Sequence, residues 1–278
     1  MAASVRRTLW LVRAWLRRRG WLPPVVLPAG VRVTTYNIGR GARGDRGARS
    51  TTLDRVAATV AAERPDVVAL QEIHEPDLPV IVEALRRDHD LGYHATFGAA
   101  LTAEAMAALV DRARGRPGFD EAFYADRASA FGVALLSRTP LADVRVEELP
   151  GKGERRIALV ARTELAGVPS TVIATHLATM SRAAVRAEQT RAVLALAAAA
   201  PGPVVLAGDL NQEPADVAAA LATSHAALAP ATDPDAPTLG RRTIDHVLVG
   251  PGVVARGAKV GEAGVSDHRP VTVTLDVG

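Results

Sequence analysis

The chain alternates between short apolar runs and longer segments whose apolar residues recur every three to four positions. Short runs of this kind predict buried strands, and the longer spacing predicts helices. The predicted strands are Val31–Ile38, Asp66–Gln71, Ala130–Ser137, Arg156–Thr163, Ser170–Thr175, Val204–Ala207, Asp245–Val249 and Val271–Leu275. The predicted helices are Leu53–Glu63, Leu78–Arg87 and Ala183–Ala199. This mixture predicts an α/β or α+β layered domain over residues 31–278.

Length and composition are those of a folded globular chain. It has 278 residues, of which 48% are hydrophobic and 23% are charged, and these values are ordinary for a folded domain. It contains no cysteine, which excludes disulfides, thiolate metal sites and cysteine nucleophiles. The segment 101–129 is rich in alanine and charge, and we interpret it as an insertion or lid with no assigned role.

The first 30 residues differ from the rest of the chain. They hold six arginines, all three tryptophans and no acidic residue, which leaves 27 basic and 30 acidic residues over 31–278, a net charge of −3. The overall basicity therefore belongs to this tail. A dedicated duplex-DNA binder usually carries its basic face on the folded domain, so the charge distribution argues against that role. The prolines between 23 and 28 separate the tail from the domain.

Two interpretations of the tail stay open. Its arginines and tryptophans would suit a helix that lies on an anionic membrane surface, whereas a frayed or mis-started extension would have no partner. The apolar run Leu9–Val12 is too short to span a bilayer. We expect a cytoplasmic monomer, with peripheral membrane contact through residues 1–30 as an additional feature.

Polar side chains occur at the ends of most predicted strands. A single Asn or Asp after a strand is usually a turn or cap residue, and a single His is usually structural. Repetition at many strand ends is different, because side chains distant in sequence then lie together on rigid supports, as a hard-cation site requires. The residues in question are Asn37, Glu72, His176, Asp209, Asn211, Asp245, Asp267 and His268.

The short sequences around these residues occur in a recognisable order. They are TYNI, DVVALQE, SRTPL, ATHL, GDLN, IDHVLV and SDHRP. Together they resemble the endonuclease/exonuclease/phosphatase superfamily, which includes abasic-site endonucleases, neutral sphingomyelinases and inositol-polyphosphate phosphatases. The resemblance covers residues 31–278. It implies a four-layered α/β sandwich, with two mixed β-sheets packed face to face and helices outside, and a metal-dependent phosphoesterase activity.

The resemblance also implies residue roles. Glu72, Asn37 and Asp267 correspond to the metal site, which would hold Mg²⁺, with Mn²⁺ as an alternative. The catalytic set would be His268, the Asp245 that orients it, Asp209, His176 and Asn211, and the choice between Asp209 and His268 as general base stays open. The substrate-binding residues would be Arg156, Asn211 and His176, although Arg155 is an alternative to Arg156. The tyrosine that abasic-site endonucleases carry in this region has no counterpart here.

The loop after Asn37 lies outside the shared motifs. It places an arginine at every third position among glycines, at residues 40, 43, 46 and 49. A flexible cationic loop beside the metal would grip a phosphate-bearing substrate, with Arg40 nearest the site. The alternative is an ordinary solvated loop.

We therefore expect a hydrolase that directs water at the phosphorus of a small, lipid-linked or nucleic-acid phosphoester. A DNA or RNA nuclease of the same fold is the first alternative. The low aromatic content of 4% argues modestly against a dedicated DNA-repair enzyme, because base stacking needs aromatic side chains. A non-catalytic binding protein is the second alternative, and the completeness of the motif set argues against that.

Overall fold

A computed structural model of the chain describes residues 30–39, 49–115 and 129–278. Two six-stranded sheets form the centre of the unit Val31–Gly278. Sheet A has the strand order β11-β12-β1-β2-β4-β3, and sheet B has the order β5-β6-β7-β8-β10-β9. The strands are β1 Val31–Asn37, β2 Val67–His74, β3 His94–Leu101, β4 Phe131–Ser137, β5 Ala142–Leu149, β6 Arg156–Leu165, β7 Val168–His176, β8 Val204–Asp209, β9 Ala229–Pro230, β10 Asp245–Val249, β11 Val253–Val260 and β12 Val271–Val277.

Five α-helices are present in the described part of the chain. They are α1 Arg49–Ala61, α2 Asp77–His89, α3 Ala103–Ala113, α4 Ala183–Ala199 and α5 Pro214–Thr223, with a short 3₁₀ helix at Met180–Arg182. None of these helices is long and apolar enough to cross a membrane.

Three apolar layers hold the sheets and helices together. The central layer lies between the sheets and joins residues such as Val133 of sheet A to Leu159 of sheet B. A second layer packs the other face of sheet A against α1 and α2, and a third packs the other face of sheet B against α4 and α5. Burial of alternate side chains on both faces explains why the inner strands are nearly continuous apolar runs. The expected four-layered sandwich of two mixed sheets is confirmed.

All eight predicted strands are inner strands of the two sheets, and β3, β5, β9 and β11, which the apolar pattern does not predict, are the four sheet edges. An edge strand has fewer neighbours to bury its side chains, so it lacks the continuous apolar run. The strand β5 illustrates this, since almost every residue in it is exposed or half-buried. Sequence pattern therefore identifies the interior of each sheet and misses its borders.

The alanine-rich segment begins as a helix that packs on the domain. Thr102 caps α3, because its Oγ1 accepts a hydrogen bond from the backbone N–H of Ala105 at 3.2 Å, and Met106 and Val110 are buried. Residues 116–128 lie outside the described residues, so the role of a lid stays a prediction. The tail and the arginine-rich loop, residues 1–29 and 40–48, also lie outside them.

Candidate active site

The order of the inner strands of sheet B brings three of the predicted polar residues side by side where these strands begin or end. Asp209 ends β8, and the parallel neighbour β7 ends beside it at His176. The antiparallel neighbour β10 begins on the other side, so that Asp245 pairs with Asp209. The end of two strands and the start of a third therefore meet at the same level. Asp209 lies in the middle of this row.

The Asp209 carboxylate is buried and held by several groups. Asn37 Nδ2 donates to Asp209 Oδ2 at 2.9 Å, and the backbone N–H of Asn211 donates to Oδ1 at 2.8 Å. The Nε2 atoms of His176 and His268 lie 3.4 and 3.8 Å from Oδ2. Burial and the charge of Asp245 raise the pKa of Asp209 to about 7. This carboxylate is therefore fixed in orientation and able to exchange a proton near neutral pH.

Asp245 and His268 form a buried pair. His268 Nδ1 lies 2.9 Å from Asp245 Oδ2, so the ring donates through Nδ1 to the carboxylate and directs Nε2 toward Asp209. Burial alone would lower the pKa of His268, but the hydrogen bond and charge of Asp245, with the charges of Asp209 and Asp267, raise it to about 9. The pair therefore favours an imidazolium at neutral pH.

Glu72 occupies a β-bulge in the middle of β2. The register with β4 shifts between Gln71 and Ile73, and Glu72 has a φ of 57°, in the left-handed region. A non-glycine residue in this region is strained, and such strain is concentrated at functional sites. The strand continues to His74, beyond the predicted end at Gln71. The bulge lets Glu72 line the cavity while Gln71 and Ile73 stay fully buried.

Ser266 and Gly39 connect the two segments that carry Asn37 and Asp267. Ser266 Oγ donates to the backbone carbonyl of Asn37 at 2.7 Å and accepts from the backbone N–H of His268 at 3.1 Å. A Cβ on Gly39 would lie 2.9 Å from Ser266 Oγ and 3.1 Å from Asp267 Oδ1. Neither residue has a role assigned from sequence, although Ser266 opens the sequence SDHRP.

One cavity of about 210 Å³ collects most of the predicted residues. Its lining includes Glu72, Arg156, His176, Asp209, Asn211, Asp267 and His268, together with Gly39, Phe131, Glu154 and Thr179. Asn37 and Asp245 lie directly behind this lining, through their contacts with Asp209 and His268. Arg40 is outside the described residues. Phe131, Glu154 and Thr179 are cavity residues that sequence analysis did not identify, because no motif contains them.

Arg156 and its neighbour Arg155 point to different surroundings. Arg155 is exposed and pairs with Glu148 at 3.0 Å. Arg156 is buried at the cavity, where its Nη2 donates to Glu154 Oε2 at 3.1 Å and its Nε has no hydrogen-bond partner among the described residues. Of the two arginines, Arg156 is therefore the one that can reach an anion in the cavity.

Within the described part of the chain, two sets of residues offer ligands for a cation. Ligand atoms of Asp209, Asp245 and His268 lie within 4.8 Å of one another. In this set Asp245 Oδ2 binds His268 Nδ1 and the Asp209 oxygens accept from Asn37 and Asn211, whereas Asp245 Oδ1 is buried with no hydrogen-bond partner among the described residues. The predicted set of Glu72 and Asp267, with Asn37 beside them, supplies oxygen ligands that line the cavity, as Mg²⁺ prefers.

Comparison with known proteins agrees with the motif analysis. Residues 34–268 match the model of the Endonuclease/Exonuclease/phosphatase family. The chain belongs to this family. Its members are hydrolytic phosphoesterases and nucleases, so the expected enzyme class is confirmed. Comparison with the curated proteins finds no significant match.

Three solved structures of family members illustrate the similarity. An endonuclease/exonuclease/phosphatase from Beutenbergia cavernae is 27% identical, with a TM-score of 0.71 over 90% of this chain and 72% of that chain. A mannosyl-6-phosphatase from Bacteroides thetaiotaomicron is 20% identical, with a TM-score of 0.65 over 88% and 99%. TDP2 from D. rerio, complexed with a single-strand DNA product, is 16% identical, with a TM-score of 0.64 over 89% and 99%. The last two show a shared fold.

Proposed function

We propose that this member of the endonuclease/exonuclease/phosphatase family hydrolyses a phosphoester bond by attack of water on phosphorus, with Mg²⁺ as cofactor and Mn²⁺ as a substitute. The observation that carries the proposal is the surroundings of Asp209. This buried carboxylate is held by Asn37 and lies within 4 Å of two imidazoles, one of them paired with Asp245. A carboxylate and imidazoles in one cavity are suited to moving protons to and from phosphate oxygens and water.

The donor set supports a hard cation. Glu72 and Asp267 contribute carboxylate oxygens to the cavity. The side-chain amide of Asn37 is fixed beside them, because its Oδ1 accepts from the backbone N–H of Gly39 and its Nδ2 donates to Asp209 Oδ2. Five carboxylates lie in and around this small cavity, those of Glu72, Glu154, Asp209, Asp245 and Asp267. They repel one another, and a divalent ion would compensate that charge. The bound ion would supply Lewis-acid stabilisation of negative charge on the phosphoryl group. Glu72 and Asp267 would hold it.

The remaining residues act on water and phosphate. Asp209 orients the attacking water and takes its proton, because its oxygens are fixed by Asn37 and Asn211. The Asp245-paired His268 donates a hydrogen bond to a phosphoryl oxygen, since its carboxylate partner favours the imidazolium. His176, which lies 3.2 Å from Asn211 Nδ2, faces the same cavity and contributes a second contact. Arg156 binds a further oxygen.

The substrate is a small, lipid-linked or nucleic-acid phosphoester. The known relatives include a mannosyl-6-phosphatase and a protein complexed with a DNA product, which supports both a small phosphoester and a nucleic acid. A non-catalytic binding protein is disfavoured because the described members of the predicted site all lie in or directly behind one cavity.

A panel of phosphoesters tests the proposal. Purified protein would be assayed with bis-p-nitrophenyl phosphate, sphingomyelin, an abasic duplex and inositol phosphates, each with Mg²⁺, with Mn²⁺ and with EDTA. We expect turnover of at least one compound that EDTA abolishes and that Asp209→Asn lowers by orders of magnitude. Turnover that persists in EDTA, or an Asp209→Asn variant with full activity, would contradict the mechanism.

A further inference from the structure

We propose that the substrate carries a second phosphate group, and that an arginine rim at one side of the cavity mouth binds it. The rim consists of Arg182, Arg241 and Arg242. The inference rests on the proposed function, because it describes how the same cavity selects its substrate. It narrows the substrate to a compound with at least two phosphates.

The first part of the rim follows a residue that lines the cavity. Thr179 lies in the cavity wall, and the 3₁₀ helix Met180–Arg182 comes directly after it. The Arg182 guanidinium lies over Gly153 and donates to the carbonyl of Lys152. Arg182 forms no ion pair with the described acidic residues. Its charge is therefore not neutralised by a described acidic residue, and Gly153, over which it lies, directly precedes Glu154 of the cavity wall.

A buried cation lies behind the same loop. Arg186 is 7% exposed, and its Nη1 donates to the carbonyl of Thr179 at 2.7 Å. Its Nε is buried without a hydrogen-bond partner in the described part of the chain, and no described carboxylate forms an ion pair with it. A buried charge without an opposite charge is costly. An anion bound outside Thr179 would offset that cost.

The second part of the rim is a tight turn that is fixed to the catalytic pair. Leu239 and Arg242 exchange backbone hydrogen bonds of 2.9 and 2.8 Å, which places Arg241 near the tip. Leu239 also forms a β-bridge with His268, which lines the cavity. Arg241 is exposed and makes no ion pair with a described residue. The turn thus carries an exposed arginine, unpaired among the described residues, two positions after Leu239, whose backbone pairs with His268 of the cavity wall.

Arg242 joins the two parts. Its Nη1 contacts Met180 Sδ at 2.5 Å, and its Nε is 4.0 Å from Glu213 Oε1, a distant and exposed pairing. This contact connects the loop after β7 to the turn before β10. Two acidic residues beside the rim already have partners: Glu154 is engaged by Arg156, and Glu213 accepts from the backbone N–H of Thr243 and lies near Arg242.

Thr238 makes the position of the rim relative to the catalytic pair rigid. Its Oγ1 accepts hydrogen bonds from the backbone N–H groups of Ile244 and Asp245 at 3.1 and 3.2 Å. Its carbonyl accepts from the N–H of Arg269, the residue after His268, at 2.8 Å. An anion on the turn would therefore bind at a fixed place relative to Asp245 and His268.

These features fit phosphate rather than a neutral group. Guanidinium groups bind phosphate oxygens through paired, charge-assisted hydrogen bonds. A cavity of about 210 Å³ holds the phosphate that reacts, and the rim lies outside it. The second phosphate comes either from the next linkage of a single-stranded nucleic acid or from another position on a small, multiply phosphorylated molecule.

Two chromogenic esters that differ by one phosphate test the inference. The first is thymidine 5′-(p-nitrophenyl phosphate), and the second is the same ester with a 3′-phosphate. Wild-type protein should turn over the 3′-phosphorylated ester with a kcat/KM about tenfold higher, as one charge-assisted contact predicts. Arg182→Ala and Arg241→Ala should each remove most of this preference, and Arg241→Lys should keep part of it. Raised salt should reduce the preference in wild type.

Arg138→Ala is the matched control. Arg138 is exposed and directly follows β4, whose last residue pairs with the first residue of β2, so it lies at the end of the sheet remote from Glu72. This variant should keep the full preference. A third arm with (dT)₈ distinguishes the two sources of the second phosphate. If Arg241→Ala lowers kcat/KM more for (dT)₈ than for the 3′-phosphorylated ester, the second phosphate belongs to a nucleic-acid strand. If it lowers kcat/KM less for (dT)₈, the second phosphate belongs to a small molecule. Three results would overturn the inference. These are equal kcat/KM for the two esters, loss of the preference in Arg138→Ala, and turnover of bis-p-nitrophenyl phosphate when neither ester is accepted. Inactivity on every compound would instead contradict the proposed function.

Discussion

Replacing Asp245 with asparagine removes the carboxylate that holds His268 and keeps nearly the same shape. In the folded protein Asp245 Oδ2 lies 2.9 Å from His268 Nδ1, and both side chains are buried. Burial lowers the pKa of His268, but the hydrogen bond and charge of Asp245, with smaller contributions from the charges of Asp209 and Asp267, raise it from 6.5 to about 9. Asp245→Asn should therefore return the pKa of His268 toward 6.5.

The size of this effect follows from the two pKa values. A difference between 6.5 and about 9 corresponds to about 3 kcal/mol of preferential stabilisation of the imidazolium. Because the pKa of His268 is raised on folding, this stability is fully present below pH 6.5 and is lost as the pH rises through 9. The raised pKa of Asp209 costs stability in a lower window, as the pH rises from 3.8 to about 7. Between pH 7 and pH 10 Asp209 completes its titration, and burial of Tyr36 and Tyr93, which raises the pKa of each to about 12, begins to cost stability. The His268 contribution is therefore taken from the difference between wild type and Asp245→Asn over the same interval.

The assay is NMR titration of the His268 ring together with urea unfolding in EDTA at pH 7 and pH 10. Wild type should lose about 2 kcal/mol of unfolding free energy over this interval from His268, and Asp245→Asn should lose much less. Asp276→Asn, which removes an exposed carboxylate paired with Arg256, is the control and should leave the pKa of His268 near 9. If His268 in Asp245→Asn still titrated near 9, the pair would not be the cause of the shift.

Three further changes test other parts of the account. His268→Ala and Asp245→Asn should each lower activity strongly, and the double variant should be little worse than His268→Ala, because groups that act as one unit are not additive; independent multiplication of the two losses in kcat/KM would refute this. Gly39→Ala should lower the free energy of unfolding in urea by about 1–3 kcal/mol, because Gly39 has a φ of 61° and a crowded Cβ position. Gly92→Ala is the control and should change it little, because no atom lies within 4 Å of its Cβ position. Equal effects of the two substitutions would contradict strain at Gly39. Deletion of residues 1–29 should abolish salt-sensitive sedimentation with anionic vesicles, since each arginine near the membrane surface contributes about 1 kcal/mol of binding free energy. It should leave turnover of a soluble ester unchanged. Equal sedimentation of the two proteins would contradict the membrane role, and loss of turnover would show that the domain boundary is misplaced.

The sequence predicts the centre of the fold better than its borders, for a physical reason. Strands such as β7 and β8 are buried on both faces and therefore appear as continuous apolar runs. β11 is an edge strand with a register shift between Ala255 and Gly257 and mostly exposed or half-buried side chains, so its pattern resembles a loop. The apolar pattern of the sequence reflects burial, and burial is lowest in the edge strands, which pair on one side only.

The candidate site shows a similar division. Residues at strand ends, such as His176 and Asp209, could be expected to meet because parallel neighbours end at the same level. The left-handed backbone of Glu72 could not be predicted, since no residue type marks a bulge occupied by glutamate. Thr238 and the turn at Arg241 were also missed, because their importance comes from backbone hydrogen bonds to distant segments.

The central claim is that a divalent ion held by Glu72 serves the chemistry at Asp209. It is tested most directly by titrating EDTA-stripped protein with Mg²⁺ while following hydrolysis of bis-p-nitrophenyl phosphate, in wild type and Glu72→Gln side by side. The account predicts no turnover without metal, saturable activation of wild type, and an activation curve for Glu72→Gln that is shifted to much higher Mg²⁺ and reaches a rate lower by orders of magnitude. Superimposable curves for the two proteins, or full turnover before any Mg²⁺ is added, would contradict it.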